Sequence, residues 1–493
     1  MVRGRVATGP EGYHGAVTDE TARSAREADD ATRGSAVKLA AEVASRLLGL
    51  GTTLLLARAL GVSDFGALGR LWYVALLLAE LAEFGLQATA TRALVAGSFS
   101  LRALVRARVV TSAVLTGAAL VALLASPAGP AWVRGAVPIL VPLVLFFVLA
   151  GWGEFLGVAL RCRGARVGEA LLLLVLRGGS LVGAVVALLG GAGLVGIAWC
   201  QAISPAPALA LGAWLLARRK AAVPGADAGV GSVLRAALPM AAHGGLQMLS
   251  PRVEFLVLSL LAGDRETGVF LAALRVFEFL GMVPNAVAQG AMPALTREAL
   301  GGGEGVRRRT AGTMALVAAP AATGLALVAP GVVGFLFGGA YADGTAPLRI
   351  LAIALLPLFL NALLSWALLA RGRAGWLPRL TGLRVATAMG LALVLVPRLG
   401  AVGAAAGLAG AEWVLLALGW LACRSAAFEV RIARPVGWAL VGCVPMALAV
   451  SGVSASLLLA IPVGALTYAA TLAGAWRLVP GFARGLSPDL RYP

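Results

Sequence analysis

The segment GEALLLLVLRGGSLVGAVVALL occupies residues 168–189 and consists mostly of apolar residues. Its apolar residues run almost continuously, with Leu171–Leu176 followed by Leu181–Leu189. A helix needs about 20 such residues to cross a bilayer, whereas a β-barrel strand alternates apolar and polar residues over about ten. Because lipid offers backbone groups no partners, this continuous segment predicts a membrane-spanning helix.

The composition extends this prediction to the whole chain. Of 493 residues, 60% are hydrophobic and 13% are charged, yet the net charge is +18. A soluble domain has about 25% charged residues and too little interior to bury so much apolar surface. Disorder is excluded because it requires low hydrophobicity. We therefore predict an all-α polytopic membrane protein, and the next question is where its basic residues lie.

The apolar segments give fourteen candidate spans. They lie near residues 37–57, 67–87, 109–125, 136–160, 168–189, 194–217, 236–261, 268–291, 311–329, 347–369, 376–396, 401–422, 435–451 and 454–476. With the N-terminus inside, the inner loops carry 21 Arg and Lys residues and the outer loops carry 4. Short cytoplasmic loops are enriched in such residues, so this bias predicts 14 transmembrane helices with both termini cytoplasmic. The predicted location is the bacterial cytoplasmic (inner) membrane.

The chain also contains a weak internal repeat. Residues 60–66 match residues 262–268 at an offset of 202, and residues 193–196 match residues 400–403 at an offset of 207, which also aligns Arg177 with Arg384. Six helices per repeat preserve orientation, so we predict two parallel six-helix repeats around a central cavity plus two C-terminal helices. The predicted units are a disordered cytoplasmic tail at 1–35, bundles at 36–220 and 221–425, two further spans at 426–480 and a cytoplasmic tail at 481–493.

Charged residues inside the predicted spans are the candidates for function. A charge at the centre of a membrane helix costs about 2.5–3.5 kcal/mol on insertion scales, so it is expected to face a water-filled cavity or to pair with a carboxylate. The arginines in spans are Arg46, Arg70, Arg177, Arg252, Arg275, Arg349 and Arg384. On the repeat-related spans one, seven and eight, the predicted substrate-binding residues are Arg46, Arg252, Arg275, Glu42 and Glu278. Their spacing leaves a structural ion pair open as the alternative, because Glu42 and Arg46 are four residues apart and Arg275 and Glu278 are three apart.

The seventh predicted span has a broken pattern. Pro239, Gly244, Gly245 and Pro251 all fall within it. Proline removes a backbone hydrogen bond and kinks a helix. We predict a hinge here that lets two bundles move, with a static kink as the alternative. The neighbouring His243 is expected to be a packed polar residue rather than a proton relay.

Other functional classes lack their motifs. The four cysteines are isolated, and no Gly-x-x-x-x-Gly-Lys-Ser/Thr loop is present. Metal frameworks and ATP sites are therefore not expected, and neither is a cofactor or a nucleic-acid partner. We predict that the chain is not an enzyme.

The opening hairpin resembles that of a known family. Residues 57–66 read ARALGVSDFG and are followed by a helix, by Gly85-Leu86 and by Arg92. This pattern is similar to the Wzx-like polysaccharide and O-antigen flippases of the MATE-like (MOP) exporter superfamily, as are the short basic loops at 161–164 and 371–373. The resemblance covers about residues 36–480. It implies two six-helix bundles with two extra helices, and flipping of an undecaprenyl-diphosphate-linked oligosaccharide for cell-surface polysaccharide biosynthesis.

The residues agree with such a substrate, because arginine binds phosphate oxygens in a bidentate manner. Alternating access would then move the headgroup while its lipid tail stays in the bilayer. Three alternatives stay open: a MATE-type drug or cation antiporter that uses Glu42, Glu80, Glu83 or Glu278, a lipid II-type flippase, and a scaffold for glycan synthesis enzymes. The expected partners are the lipid-linked oligosaccharide and membrane lipids. Coupling to H+ or Na+ and partnership with a glycan polymerase or glycosyltransferase also fit.

Overall fold

The structure is a computed structural model, which describes residues 11–125, 135–218, 225–301, 305–426, 428, 430, 432–453 and 456–478. Every regular element in those ranges is a helix, which confirms the all-α prediction. The α-helices are α1 Glu11–Glu83, α2 Leu86–Ala96, α3 Leu101–Ala125, α4 Val137–Cys162, α5 Arg166–Leu189, α6 Leu194–Ile203, α7 Ala206–Arg218, α8 Val230–Leu249, α9 Val253–Leu261, α10 Gly263–Leu280, α11 Met282–Ala299, α12 Val306–Phe337, α13 Thr345–Ala370, α14 Trp376–Ser425, α15 Ala433–Val453 and α16 Leu457–Leu478. Short 3-10 turns lie at Ser250–Arg252 and Gly339–Gly344.

Within the described ranges, eleven helical stretches are long and apolar enough to cross a membrane. The chain is therefore a multi-pass membrane protein by length and composition. The difference from fourteen arises at three places. The stretches 40–96 and 376–425 each contain two predicted spans, and the predicted span 236–261 is divided by the 3-10 turn at Ser250–Arg252. The count of fourteen thus depends on whether the chain reverses inside the two long stretches and on whether α8 and α9 together form one span.

Helix α14 reverses direction at Gly400, whose φ of 54° and ψ of −128° are non-helical. Arg384 and Glu412 form an ion pair at 2.7 Å although 28 residues separate them in sequence. A straight helix rises about 1.5 Å per residue, which would put these side chains about 40 Å apart. The two legs of α14 therefore lie side by side.

Helix α1 behaves in the same way at Gly61, which has φ 77° and ψ 174°. Residues from both sides of this glycine, Glu42 and Trp72 among them, line one cavity. Glycine reaches a positive φ without steric cost, so it suits a sharp reversal of this kind. The aligned Gly263, at the start of α10, has φ 78°.

The contacts between connections fall into two groups, one at each end of the helices. At the first end, which we call the hairpin end, Arg58 bonds to Leu336, Tyr341 to Ala57, Ala401 to Glu266 and Arg265 to Asp343. At the other end, the basic end, the pairs are Arg106–Asp227, Arg163–Leu216, Lys38–Glu169, Arg371–Ala299 and Arg307–Glu298. Except for Arg307–Glu298, which spans the single connection between α11 and α12, each of these contacts joins two segments that the charge bias assigns to the same side of the membrane. Which side is cytoplasmic remains a prediction.

The second leg of α1 and helix α10 cross closely at the hairpin end. A Cβ added to Gly66 would overlap the carbonyl oxygen of Asp264 and lie 2.7 Å from the Gly268 nitrogen. A Cβ added to Gly268 would overlap the carbonyl oxygen of Val62 and lie 3.2 Å from the Gly66 nitrogen. At the repeat offset of 202, Gly66 corresponds to Gly268 and Val62 to Asp264. The contact is therefore reciprocal, as expected where a pseudo-twofold axis passes between two repeats.

The basic loops at Gly164 and Gly372 share one turn geometry. In the first loop, Gly164 donates to the Arg161 carbonyl and Ala165 donates to the Leu160 carbonyl. In the second loop, 208 residues later, Gly372 donates to Leu369 and Arg373 donates to Leu368. Equal bond patterns at nearly the same offset support the repeat, although the domain boundaries stay predictions.

Helix α1 begins at Glu11, so the structure describes residues 11–35 as helix, while the predicted domain boundaries stay predictions. This segment is rich in Ala, Glu and Arg, which are strong helix formers. The predicted tail at 481–493 and residues 1–10 lie outside the described residues. Helices α15 and α16 pack on α12 through a cluster that includes Ala315, Met446 and Tyr468.

Candidate functional site

A cavity of about 510 Å³ lies between the two legs of α1 and helices α4, α5, α10 and α11. Towards the hairpin end its wall is apolar and includes Leu56, Phe65 and Leu68. The polar lining residues are Glu42, Ser45, Arg46, Thr52, Thr53, Arg177, Ser180, Arg275 and Glu278. Such a division suits a ligand with an ionic part and an apolar part.

Four of the five predicted site residues line this cavity. Arg46 lies 3.4 Å from Glu42, and their side chains are 51% and 46% exposed. Arg275 lies 2.8 Å from Glu278, and their side chains are 24% and 32% exposed. Each arginine therefore pairs with a carboxylate and also faces the cavity, and the role of these residues in substrate binding stays a prediction.

Arg252, the fifth predicted residue, does not line the cavity. Its Nη1 donates a 2.6 Å hydrogen bond to the carbonyl of Met248. Pro251 and the 3-10 turn end α8 just before Arg252, so carbonyls at the end of α8 lose their helical donors, and a cation is favoured there. Its guanidinium lies 5.9 Å from the ring centroid of Tyr73, and Arg275 lies 5.4 Å from the same ring. Arg252 therefore neighbours the cavity through Tyr73.

Arg177 is the cavity arginine that the prediction omitted. It lies on α5, where it is 40% exposed and pairs with Glu154 of α4 at 3.4 Å. The sequence contained a signal for it, since Arg177 is an arginine within a span and aligns with Arg384. Its pairing partner lies 23 residues away on another helix, whereas helical spacing predicts only partners three or four residues away.

Arg384 has a different environment from Arg177, with which it aligns at the offset of 207. It is buried, pairs with Glu412 at 2.7 Å and lies 3.6 Å from Glu254. It also bonds to the hydroxyl and the carbonyl of Ser250, and Asn361 donates to the Glu412 carboxylate at 2.9 Å. This polar cluster connects the 3-10 turn, α9, α13 and both legs of α14, so its evident role is to hold these helices together.

Glu83, a candidate for the antiporter alternative, serves at a helix junction. Helix α1 ends at Glu83 and α2 begins at Leu86, with Phe84 at a φ of 49°. The Glu83 carboxylate accepts the Gly85 N–H at 2.7 Å and pairs with Arg108 at 3.3 Å. Among the described residues, no group of three or more His, Cys, Asp or Glu side chains could hold a metal ion.

The predicted hinge region contains a break in helical geometry. Pro239 lies inside α8, and Pro251 lies in the 3-10 turn between α8 and α9. Gly244 and Gly245 are exposed, and an added Cβ would meet no atom within 4 Å at either position. The break therefore lies at Pro251, and hinge motion stays a hypothesis. The side chain of His243 is outside the described set.

The fold is that of solved membrane transporters. The lipid II flippase MurJ, in an inward closed conformation, matches with a TM-score of 0.74 over 89% of this chain and 98% of that one, at 12% identity. An inward-facing multidrug resistance MATE transporter of the MOP superfamily matches with a TM-score of 0.62 over 77% of this chain and 94% of that one, at 20% identity. A MOP superfamily transporter from Pyrococcus furiosus, described as having a binding pocket of reverse polarity, gives a TM-score of 0.55 over 81% and 96%, at 20% identity.

At these identities the likeness establishes the fold and no more. Comparisons with protein-family models and with curated proteins give no match. The structural neighbours are transporters and flippases rather than enzymes. The chain therefore shares its fold with MurJ and with MATE transporters, and both its superfamily and its Wzx-like specificity stay predictions.

Proposed function

We propose that this chain flips a polyprenyl-diphosphate-linked oligosaccharide across the bacterial inner membrane for cell-surface polysaccharide biosynthesis. The observation that carries the proposal is the cavity lined by Arg46, Arg177 and Arg275 within a transporter fold. A diphosphate is a dense anion, and guanidinium groups bind phosphate oxygens with two parallel hydrogen bonds. The apolar wall offers contacts to the less polar parts of the substrate.

The architecture in this proposal has fourteen spans in two six-helix repeats, plus α15 and α16. The reversals at Gly61 and Gly400 support dividing α1 and α14 into two spans each. Counting α8 with α9 as one broken span then gives fourteen. The reciprocal contact of Gly66 with Gly268 supports the repeat. The charge bias supports cytoplasmic termini, with the basic end inside.

Transport in this proposal proceeds by alternating access. The Gly66–Gly268 crossing closes the outer end between the halves. At the basic end, Gly85 packs against the backbone of Met240 and Ala241, where an added Cβ would lie 2.7 Å from the Met240 carbonyl carbon. Rocking of the bundles, with bending near Pro251, opens one contact at a time. Coupling to H+ or Na+ and association with a glycan polymerase or glycosyltransferase are compatible additions.

Removal of the cavity arginines tests the proposal. In a host that lacks its own polysaccharide flippase, Arg46→Ala and Arg275→Ala are each expected to lower glycan display about tenfold, because each removes charge-assisted bonds to phosphate. Arg252→Ala is expected to have a smaller effect, since its guanidinium bonds to the end of α8. The measurement is surface glycan per cell, normalised to the amount of protein in the membrane.

The control is Arg218→Ala, because Arg218 stacks on Trp214 at 3.9 Å and does not line the cavity. This variant is expected to retain display. Full display by the triple variant Arg46→Ala, Arg252→Ala, Arg275→Ala would contradict the assignment of the site.

A lipid II-type flippase is the second candidate, and the match to MurJ over 89% of the chain favours it. It shares the polyprenyl diphosphate chemistry. Rescue of growth in a bacterium depleted of its lipid II flippase, without rescue of glycan display, would favour this candidate. The MATE-type antiporter remains a third, supported by the matches to MATE transporters.

A further inference from the structure

The three cavity arginines differ in how their carboxylate partners are arranged. Arg46 and Arg275 pair within their own helices, with Glu42 and Glu278. Arg177 pairs instead across helices, with Glu154 of α4. Glu154 does not itself line the cavity, so it contacts the guanidinium from outside the cavity wall.

The Arg177–Glu154 ion pair can break so that Arg177 takes another partner. Its closest nitrogen–oxygen distance is 3.4 Å, and the side chains are 40% and 41% exposed. Ion pairs this exposed contribute little to stability, because water solvates both charges. Glu154 also has a second partner, since its other carboxylate oxygen accepts a hydrogen bond from Gln87 Nε2 at 3.3 Å. The carboxylate can therefore release the arginine and keep one hydrogen bond.

The repeat provides an internal comparison. Arg384, at the position equivalent to Arg177, is 8% exposed and is held by Glu412, Ser250 and Glu254. Releasing Arg384 would leave two buried carboxylates without a cation, which is costly. Releasing Arg177 leaves one half-exposed carboxylate. The same sequence position is thus fixed in one repeat and free to change partner in the other.

Charge balance indicates what the partner is. Three arginines and the three glutamates that pair with them sum to zero, but Glu154 lies outside the lining, so the charged residues that line the empty cavity carry one net positive charge. A diphosphate diester carries two negative charges and needs guanidinium N–H groups that the glutamates now occupy. Substrate and glutamate therefore compete for the same donors.

We propose that Arg177 binds the diphosphate of the substrate and that Glu154 is its counter-ion in the empty transporter, so that the arginine changes partner once in each transport cycle. This inference rests on the proposed function and adds a residue pair to its site. Glu154 is a positioning residue that acts through Arg177. Its return to Arg177 favours release of the substrate.

Binding of farnesyl diphosphate to the purified full-length chain in lipid nanodiscs tests the exchange. Glu154→Gln is expected to lower the Kd about two- to fivefold. The substitution removes the carboxylate that competes with the diphosphate for Arg177, and the free energy of that competition is that of an exposed ion pair. Arg177→Gln is expected to raise the Kd roughly tenfold, and Arg177→Lys is expected to give an intermediate value, because lysine keeps the charge without the planar fork. Titration calorimetry measures each Kd.

A double-mutant cycle separates competition from a merely structural role. In the Arg177→Gln background, Glu154→Gln is expected to leave the Kd unchanged, because the carboxylate acts only through the arginine. In the glycan-display assay, Glu154→Gln alone is expected to reduce display despite its tighter binding, because release becomes slower. Equal effects of Glu154→Gln in both backgrounds would overturn the inference.

Two further outcomes separate the inference from the proposed function. If the parent chain binds farnesyl diphosphate, and Arg46→Ala or Arg275→Ala weakens binding while Arg177→Gln does not, the exchange is wrong and the proposed function stands. If the parent chain does not bind farnesyl diphosphate, the diphosphate substrate is wrong and the inference falls with it. Farnesol, which lacks the diphosphate, is expected not to bind in either case.

Discussion

Replacing Arg384 with methionine is expected to lower the free energy of unfolding by about 3–5 kcal/mol, the range for removing one partner of a buried ion pair. Methionine fills a similar volume but leaves Glu254 and Glu412 facing each other without a cation. Their side chains are 1% and 5% exposed. The loss is measurable as a lower thermal midpoint of the detergent-solubilised protein.

The matched control is Arg177→Met, because Arg177 aligns with Arg384 at the offset of 207 and is also an arginine within a predicted span. Its ion pair with Glu154 is about 40% exposed on both sides, so this substitution is expected to cost about 1 kcal/mol or less. Equal thermal midpoints for Arg384→Met and Arg177→Met would contradict the assigned role of the buried cluster.

Neutralising Glu254 and Glu412 is expected to restore the stability that Arg384→Met loses. Glu254→Gln with Glu412→Gln in the Arg384→Met background removes both unpaired charges, so most of the stability is expected to return. In the parent background, Glu254→Gln is expected to be nearly neutral. The reason is that neither Glu254 carboxylate oxygen accepts a hydrogen bond within the described part of the chain, while Arg384 keeps Glu412.

The contrast between Arg177 and Arg384 also shows what the sequence could predict about the site. Spacing within one helix correctly paired Arg46 with Glu42 and Arg275 with Glu278, because neighbours on a helix face are set by its period. It could not pair Arg177 with Glu154 or Arg384 with Glu412, since these partners come from other helices or from the second leg of a hairpin. Arg252 lies outside the cavity lining for a related reason, because a local turn at Pro251 directs it to Met248, and its role in substrate binding stays a prediction.

The fold followed from the sequence more directly. Continuous apolar segments predict helices because lipid leaves no other way to satisfy the backbone. The charge bias separates the connections into two groups, and the contacts at the two ends respect that separation. At residues 11–35 polarity predicts disorder, whereas Ala, Glu and Arg also favour the helix in which the structure places this segment.

Substitution of Gly66 by alanine is expected to open the hairpin end, against the usual effect of this change. In an ordinary helix, Gly→Ala adds about 0.5–1 kcal/mol of stability, because alanine loses less backbone entropy. Here the new methyl group would overlap the Asp264 carbonyl, which is backbone and can yield only if the helices separate. Separation also weakens the ion pair of Arg70 with Asp264, whose atoms are 2.6 Å apart.

Thiol labelling measures this opening. Thr267 is fully buried beside the crossing, so Thr267→Cys, in a background whose four native cysteines are replaced, is expected to be protected from maleimide in the parent and labelled in Gly66→Ala. The control is Gly334→Ala at the same end of α12, where an added Cβ meets nothing within 4 Å. This control is expected to stay protected and to be neutral or slightly stabilising.

The reciprocity of the crossing makes the double variant the decisive test. Gly66→Ala and Gly268→Ala each push the same two helices apart, so once one methyl group has separated them, the second meets less resistance. The double variant is therefore expected to lower the thermal midpoint by little more than the more harmful single variant. Two independent sites would instead give additive losses, and additive losses would show that Gly66 and Gly268 do not share one contact on the axis between the repeats.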